Sequence, residues 1–313
     1  MEALGRELGF PWKACSLDDA EGLRQLLEPV DVVLHAAGPF MFTARPMIEA
    51  CIDTGTHYLD ITGEIGVFEM AARLSAKAAA AGIMLMPGTG FDVVPTDCLA
   101  VYLKQRLPDA THLQLAFMGL GGVSHGTATT MVQGLGEDSL VRENGQLRRV
   151  PLGHKTLQVP FRPDRSYLAM TIPWGDIATA WYSTGIPNIE TYMAVPPAQY
   201  RYVRLMRWFG WLLRQRWVKR LLQRQIDAKL VGPSDEERAR GRSYVWGRVR
   251  NAAGDECAAR LETLEGYTLT AISSILIAQK VLAGNFKPGF QTPAMAYGPD
   301  LILEIPDTKR EDL

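Results

Sequence analysis

Three stretches decide the fold: DVVLHAAGPF at Asp31–Phe40, HYLDITGE at His57–Glu64 and IMLMPGTGFDVVPTD at Ile83–Asp97. Each opens on an apolar run of strand length, and each run is followed by a turn containing glycine. Helical patterns at Ala44–Thr54 and Ile65–Ala81 separate them. Strand, loop and helix in alternation are the grammar of a parallel α/β sheet. Ligands of such sheets bind beyond the carboxyl ends of the strands. The turns Ala36–Phe40, Ile61–Glu64 and Pro87–Asp97 are therefore expected along one rim, and the functional site with them.

Working outward, Met1–Gly9 reads as a helix closed by Gly9. Trp12–Leu17 reads as a short strand. Ser16 or Asp18 is the expected cap of a helix over Asp19–Leu27, whose Leu23, Leu26 and Leu27 share a face. Asp31–Ala36 is apolar on both faces, as at a sheet centre. Pro95–Leu107 is helical until Pro108 stops it. From Thr111 the pattern becomes alternation: Leu113–Met118, Tyr167–Ile172, Ile189–Ala194 and Tyr244–Arg250 read as half-buried strands. Asn144-Gly145 signals a hairpin. Thr127–Leu135 and a long segment from about Gln199 to Leu230 read as helices. Gly266–Leu282 is a strongly apolar helix, expected to pack back on the first sheet, and Thr292-Pro293 caps a short helix after it. The expected fold class is α/β. Residues 1–110 and 266–313 form one domain on a parallel sheet, and residues 111–265 a second on a mixed or antiparallel sheet.

Composition narrows the function. A chain of 313 residues exceeds what one core usually supports, ~250–300. The net charge of −1 offers no general attraction to nucleic acid. Cys15, Cys51, Cys98 and Cys257 form no CxxC pair and read as reduced thiols of a cytosolic protein. The five histidines show no ligand spacing, so no metal site is expected. No apolar run reaches the ~20 residues of a membrane span.

Several residues have both a functional and a structural reading. Gly38-Pro39-Phe40 is a wall beside a ligand or a stiff strand-to-helix turn. Glu64 is a site carboxylate or a cap favoured by the helix dipole. Asp60 is a buried structural acid or part of the site, with Tyr58 on the same face of the strand. Gly88–Asp92 suggests GxGxxG, but Val93 occupies the last glycine position, so it is not a pyrophosphate loop. Asp92 lies in the turn and is the better substrate contact, and Asp97 the better cap. His125, between glycines and a helix start, is a proton donor at neutral pH or a surface histidine. Residues 199–230 carry nine Lys/Arg against one acid, with three tryptophans interleaved. That pattern suits a membrane surface, a subunit contact in a homodimer, or a cover over the cleft.

Taken in order, AAGPF, GTHYLDITGE, GTGFDVVPTD, SHGTATT, STGIPNIE and GYTLTA…GFQTPAMAYG resemble the saccharopine dehydrogenase-like group of NAD(P)-dependent oxidoreductases, above all its bacterial members and its trans-acting enoyl reductases. The resemblance implies a Rossmann domain for NADP(H) or NAD(H), and hydride transfer to a small or lipid-like substrate. It implies that Ala36, Ala37, Gly38, Pro39 and Phe40 line the cofactor with Gly63 and Glu64 nearby. Gly90, Phe91, Asp92, Gly126 and Thr127 would face the substrate, and His125, Asp92 and Tyr267 are the candidate proton donors. The sequence departs from the group at its start, where members carry a strand, a GATGYTG-like loop, a helix and a second strand. The Rossmann sheet is thus N-terminally incomplete, with Trp12–Leu17 as its third strand and Asp31–Ala36 as its fourth. Strands spaced ~4.8 Å apart would leave a gap of about 14 Å between these two. The expectation is that the protein begins upstream of Met1. The 313-residue chain alone would then express poorly or aggregate and bind no dinucleotide, while an extended chain would do both well. The rival reading is a non-catalytic remnant that binds a membrane surface or a protein through residues 199–230.

Overall fold

The computed structural model describes residues 2–119, 125–229, 232 and 234–313. The first part of the chain runs α1 (Glu2–Leu8), α2 (Ala20–Leu27), β1 (Val32–His35), α3 (Phe40–Thr54), β2 (His57–Asp60), α4 (Ile65–Arg73), α5 (Ser75–Ala80), β3 (Met84–Met86) and α6 (Val94–Arg106). The middle runs β4 (His112–Gly119), α7 (His125–Gln133), β5 (Ser139–Glu143), β6 (Gln146–Val150), β7 (Thr156–Arg162), β8 (Arg165–Thr171), α8 (Asp176–Thr184) and β9 (Asn188–Ala194). Then come α9 (Pro197–Met206), α10 (Gly210–Leu213), α11 (Arg216–Lys229), α12 (Asp235–Arg240), β10 (Arg242–Arg250) and β11 (Glu256–Leu264). The chain closes with α13 (Gly266–Leu282), β12 (Gly289–Phe290), α14 (Pro293–Tyr297) and β13 (Lys309–Asp312).

Two sheets result. The first is parallel, in the order β1-β2-β3-β12. Strand alternation gives it two apolar faces. Tyr58, Leu85 and Phe290 meet Leu23, Ala44, Ile48, Ala71 and Ala78 from helices α2 to α5. Leu59, Met84 and Met86 face the other way, into a core shared with α6, α13 and the second sheet. Among the described residues that sheet has nine strands, β13-β11-β10-β4-β9-β5-β6 with β8 and β7 branching from β9, and only its β4–β9 pair is parallel. The α/β class with one parallel and one mixed sheet is thus as the sequence indicates. The hairpin at Asn144-Gly145 is also present, with both residues at positive φ, 49° and 78°.

Helix α6 joins the two halves. Val94, Cys98, Leu99 and Leu103 are all fully buried in the shared core. It lies so close to β10 that a Cβ on Gly247 would come within 2.7 Å of Leu103. Helix α13 packs on β1 and β2, back against the first sheet as expected.

Five local expectations need correction. Trp12–Leu17 is not a strand: Phe10 N donates to Gly5 O, and the Trp12 ring lies over Gly5, so the segment folds back on α1 instead of joining a ladder. The cap of α2 is Asp19, which accepts from Gly22 N; Ser16 serves Asp18. The strand expected at a sheet centre, β1, lies at the end of the described order, and its Leu34 is 37% exposed. The helix over Ile65–Ala81 breaks at Leu74, next to the point where Gly289-Phe290 press on Ser75. The long helix over 199–230 is three helices with a 3-10 turn at Arg207–Phe209. Its bend falls at Gly210, whose carbonyl lies where a Cβ on Gly136 would meet it at 2.6 Å. The end of that segment, Leu230, Val231 and Pro233, lies outside the described residues.

Candidate functional site

Because β1, β2 and β3 are parallel, their carboxyl ends open on one side, and three turns meet there. Hydrogen bonds lock them together. The Glu64 carboxylate accepts from Phe40 N at 2.8 Å and from Met41 N at 2.7 Å. Glu64 thus caps α3, a helix 24 residues earlier in the chain, and makes no side-chain cap on its own helix α4. Pro39, at the N-cap of α3, has no side-chain acceptor to offer, so the distant carboxylate fills that place. Burial pushes the Glu64 carboxyl up, against the two backbone donors.

The Asp60 carboxyl is fully buried and accepts from Thr62 N, Gly88 N and the Tyr58 hydroxyl, at 2.9, 2.9 and 2.7 Å. Burial still raises its pKa to about 6. Gly88 adopts φ of +80°, a turn that a side chain would strain, and so brings its N–H to Asp60. The Tyr58 hydroxyl donates to Asp60, and His35 Nδ1 lies 3.3 Å from the Tyr58 oxygen. Of its two readings, Asp60 fits the structural one: it ties the second turn to the third.

The Asp92 carboxyl is half-buried, and no described residue hydrogen-bonds to it. Burial raises its pKa to about 7. It rests against Gly63, where a Cβ would sit 2.5 Å from Oδ2. On its other flank Gly63 meets Gly175, which is equally bare. Phe91, next in chain, has its N–H held by Thr270 of α13 at 3.0 Å. Its ring meets Phe117 edge-on, and Phe117 stacks obliquely on Trp174 at 4.5 Å. Asp92 therefore stands beside an apolar aromatic wall built from both sheets. Deeper in, Asp176 is fully buried among Thr96, Asp97 and Asp92, and neither of its carboxyl oxygens has a partner among the described residues. Burial raises its pKa well above the ordinary carboxylate value.

The structure brings Ala36–Phe40, Gly63, Glu64 and Gly90–Asp92 together at one rim. Ala36, Ala37 and Gly38 are exposed there, while Phe40 is buried at the foot of α3. Tyr267 lies in the first turn of α13, beside Gly266, whose bare Cα lets Phe91 close in. His125 sits elsewhere: its Nε2 pairs with Asp227 of α11 at 2.8 Å, half-exposed. Gly126 is exposed on α7, the Thr127 side chain is outside the described residues, and so are Gly121, Gly122 and Ser124. Sequence reading missed Phe117, Trp174 and Asp176. Their sole local signal is Trp174-Gly175-Asp176 before an apolar helix, which looks like an ordinary helix start. Among the described residues, no three His, Cys, Asp or Glu are grouped to hold a metal ion, and no helix is long and apolar enough to cross a membrane.

The residues present fit one end of a dinucleotide. The exposed backbone at Ala36–Gly38 presents no side chain beyond a methyl group, which suits close approach of a flat ring. They do not supply a pyrophosphate cradle: the N–H groups of Phe40 and Met41 at the start of α3 are taken by Glu64.

A parallel sheet whose strand-end turns meet at one rim is the α/β architecture in which ligands bind beyond the carboxyl ends of the strands. Residues 2–86 match the family described as saccharopine dehydrogenase NADP binding domain. The human "Saccharopine dehydrogenase-like oxidoreductase" is 30% identical over 148 residues, 44% of this chain and 34% of that protein. The "Trans-acting enoyl reductase" of Mycobacterium leprae is 39% identical over 77 residues, 24% of this chain and 18% of that protein. Apo saccharopine dehydrogenase (L-Glu forming) from Saccharomyces cerevisiae superposes with a TM-score of 0.66 at 15% identity, over 100% of this chain and 91% of that one, and shows the same fold. Over these stretches the chain is similar to saccharopine dehydrogenase-like oxidoreductases and to the NADP binding domain of saccharopine dehydrogenases. The matches span about a third of the length of the first curated relatives.

Proposed function

We propose that the rim is the nicotinamide end of an NADP(H)-dependent reductase site, that Asp92 is its proton donor, and that the substrate is an apolar, lipid-like molecule with a polarised double bond, such as an enoyl group. The observation that carries this is Asp92: a carboxyl without a described partner, raised to about 7, set against Gly63 at the rim and next in chain to Phe91 of the aromatic wall. The match of residues 2–86 to an NADP binding domain supports the choice of cofactor. When bound, a reduced nicotinamide supplies a hydride.

The chain's own residues do the rest. Ala36, Ala37 and Gly38 form a smooth wall for the ring. Glu64 holds that turn rigid by capping α3. Phe91, Phe117 and Trp174 take the apolar part of the substrate and exclude water. Asp92 is protonated below its raised pKa and gives that proton to the carbon or heteroatom left negative by reduction.

A strand–glycine-loop–helix–strand unit from a saccharopine dehydrogenase is joined ahead of residue 1, and NADPH consumption is followed with a trans-2-enoyl thioester. The rate should fall about tenfold per pH unit above pH ~7, because the acid form is required. Asp92→Asn should lower kcat by about 10²–10⁴ and remove that pH dependence, with nucleotide affinity unchanged. An Asp92→Asn protein that keeps its kcat within a factor of three would refute the role.

A further inference from the structure

The segment α9–α11 is held to the body by one side and leaves the other unused. On α11, Lys219 donates to Gln133 O at 2.5 Å and Gln223 to Thr129 Oγ1 at 2.9 Å, both toward α7 and the loop after it. Arg214 donates to Gly136 O at 2.6 Å. At 100° per residue, Trp217, Leu221 and Arg224 fall on the face away from Lys219 and Gln223, Arg220 lies at its edge, and all four are exposed. Trp208 in the 3-10 turn is 82% exposed, Trp211 on α10 66% and Trp217 61%. Among the described residues Arg216, Arg220 and Arg224 have no carboxylate partner, whereas Lys219 and Arg214 lie near Glu137 and Asp138. The inward cations are thus spent on the fold and the outward ones are not.

We infer that the outer face of α9–α11 docks on an anionic phospholipid surface. Exposed tryptophans beside unpaired arginines match the boundary between headgroups and acyl chains, where the ring is buried and the guanidinium meets phosphate. Charge complementarity favours lipid over a second copy of the chain. Residues 199–230 hold nine cations and one acid in a chain of net charge −1, and a like-to-like contact of this face between two copies would set cations against cations, whereas an anionic lipid surface pairs with them. The proposal does not rest on the reductase reading and needs no nucleotide.

The experiment is co-sedimentation of the full chain with vesicles of phosphatidylcholine and phosphatidylserine, with phosphatidylcholine alone as reference and tryptophan emission as a second readout. Binding to the anionic vesicles only, with emission shifted to the blue, is expected. Salt should release it, since the screening length falls from about 10 Å at 0.1 M to about 3 Å at 1 M. Arg220→Gln with Arg224→Gln should weaken binding about 25-fold, at about fivefold per cation, with an unchanged melting temperature because both side chains are exposed. Trp208→Ser, Trp211→Ser and Trp217→Ser together should abolish the spectral shift and the sedimentation. No binding at low salt, equal binding to neutral vesicles, or unchanged binding by either variant overturns the proposal. So does self-association that needs the tryptophans while vesicles are ignored, which would make the face an interface between copies.

Discussion

Glu64 shows how far a single residue can be read. Its carboxylate at a helix start is what dipole physics leads one to expect, and the sequence offers helix α4 as the object. The structure gives the same chemistry to another helix, because Pro39 leaves α3 without a cap and the turns of β1 and β2 lie side by side. Local sequence does not carry a partnership between residues 24 apart. Removing it should be felt in stability: Glu64→Ala is expected to cost about 2 kcal/mol in denaturant unfolding, the range for a lost cap. Glu64→Gln, which keeps one acceptor, should cost less. Equal stability of wild type and Glu64→Ala would mean that water caps α3 as well as the carboxylate does. Asp60 was readable in half: alternation put Tyr58 and Asp60 on one face, where they bond, but the donation from Gly88 crosses between strands and left no local trace. Asp92 stood out because it lies within a turn, before the first residue of α6.

At the scale of elements, continuous apolar runs located β1, β2 and β3 of the parallel sheet but not the two-residue β12, and Gly266–Leu282 was legible to the residue. Strands of the mixed sheet were harder. β11 reads ECAARLETL, and its charges hide it; Arg260 is buried only because Glu311 of β13 neutralises it. β7 contains Pro160, which argues against a strand until its place at the sheet's branch is known. Trp12–Leu17 had strand composition and no ladder to join. Gly247 looks like a weak point in β10, yet it makes room for α6. Gly247→Ala should destabilise by about 1–3 kcal/mol through overpacking against Leu103, Leu115 and Leu99, measured by thermal or urea unfolding. A neutral or stabilising effect would show that α6 can move away freely.

Across the whole molecule, two sheets share one core through α6 and α13, and this joins the rim of one sheet to the aromatic wall of the other. That juncture was not legible, since Phe91, Phe117 and Trp174 are scattered over more than eighty residues. Among the described residues β1 is an end strand of the parallel sheet, with Leu34 37% exposed. The central claim, that the Ala36–Gly38 backbone lies against a nicotinamide nucleotide, is tested most directly by titrating NADPH into the chain joined to the strand–glycine-loop–helix–strand unit, with and without Gly38→Val. The account predicts saturable binding and a nucleotide-dependent rise in melting temperature for the glycine form. It predicts a folded Gly38→Val protein that has lost both. Equal NADPH affinity in the two proteins would contradict it.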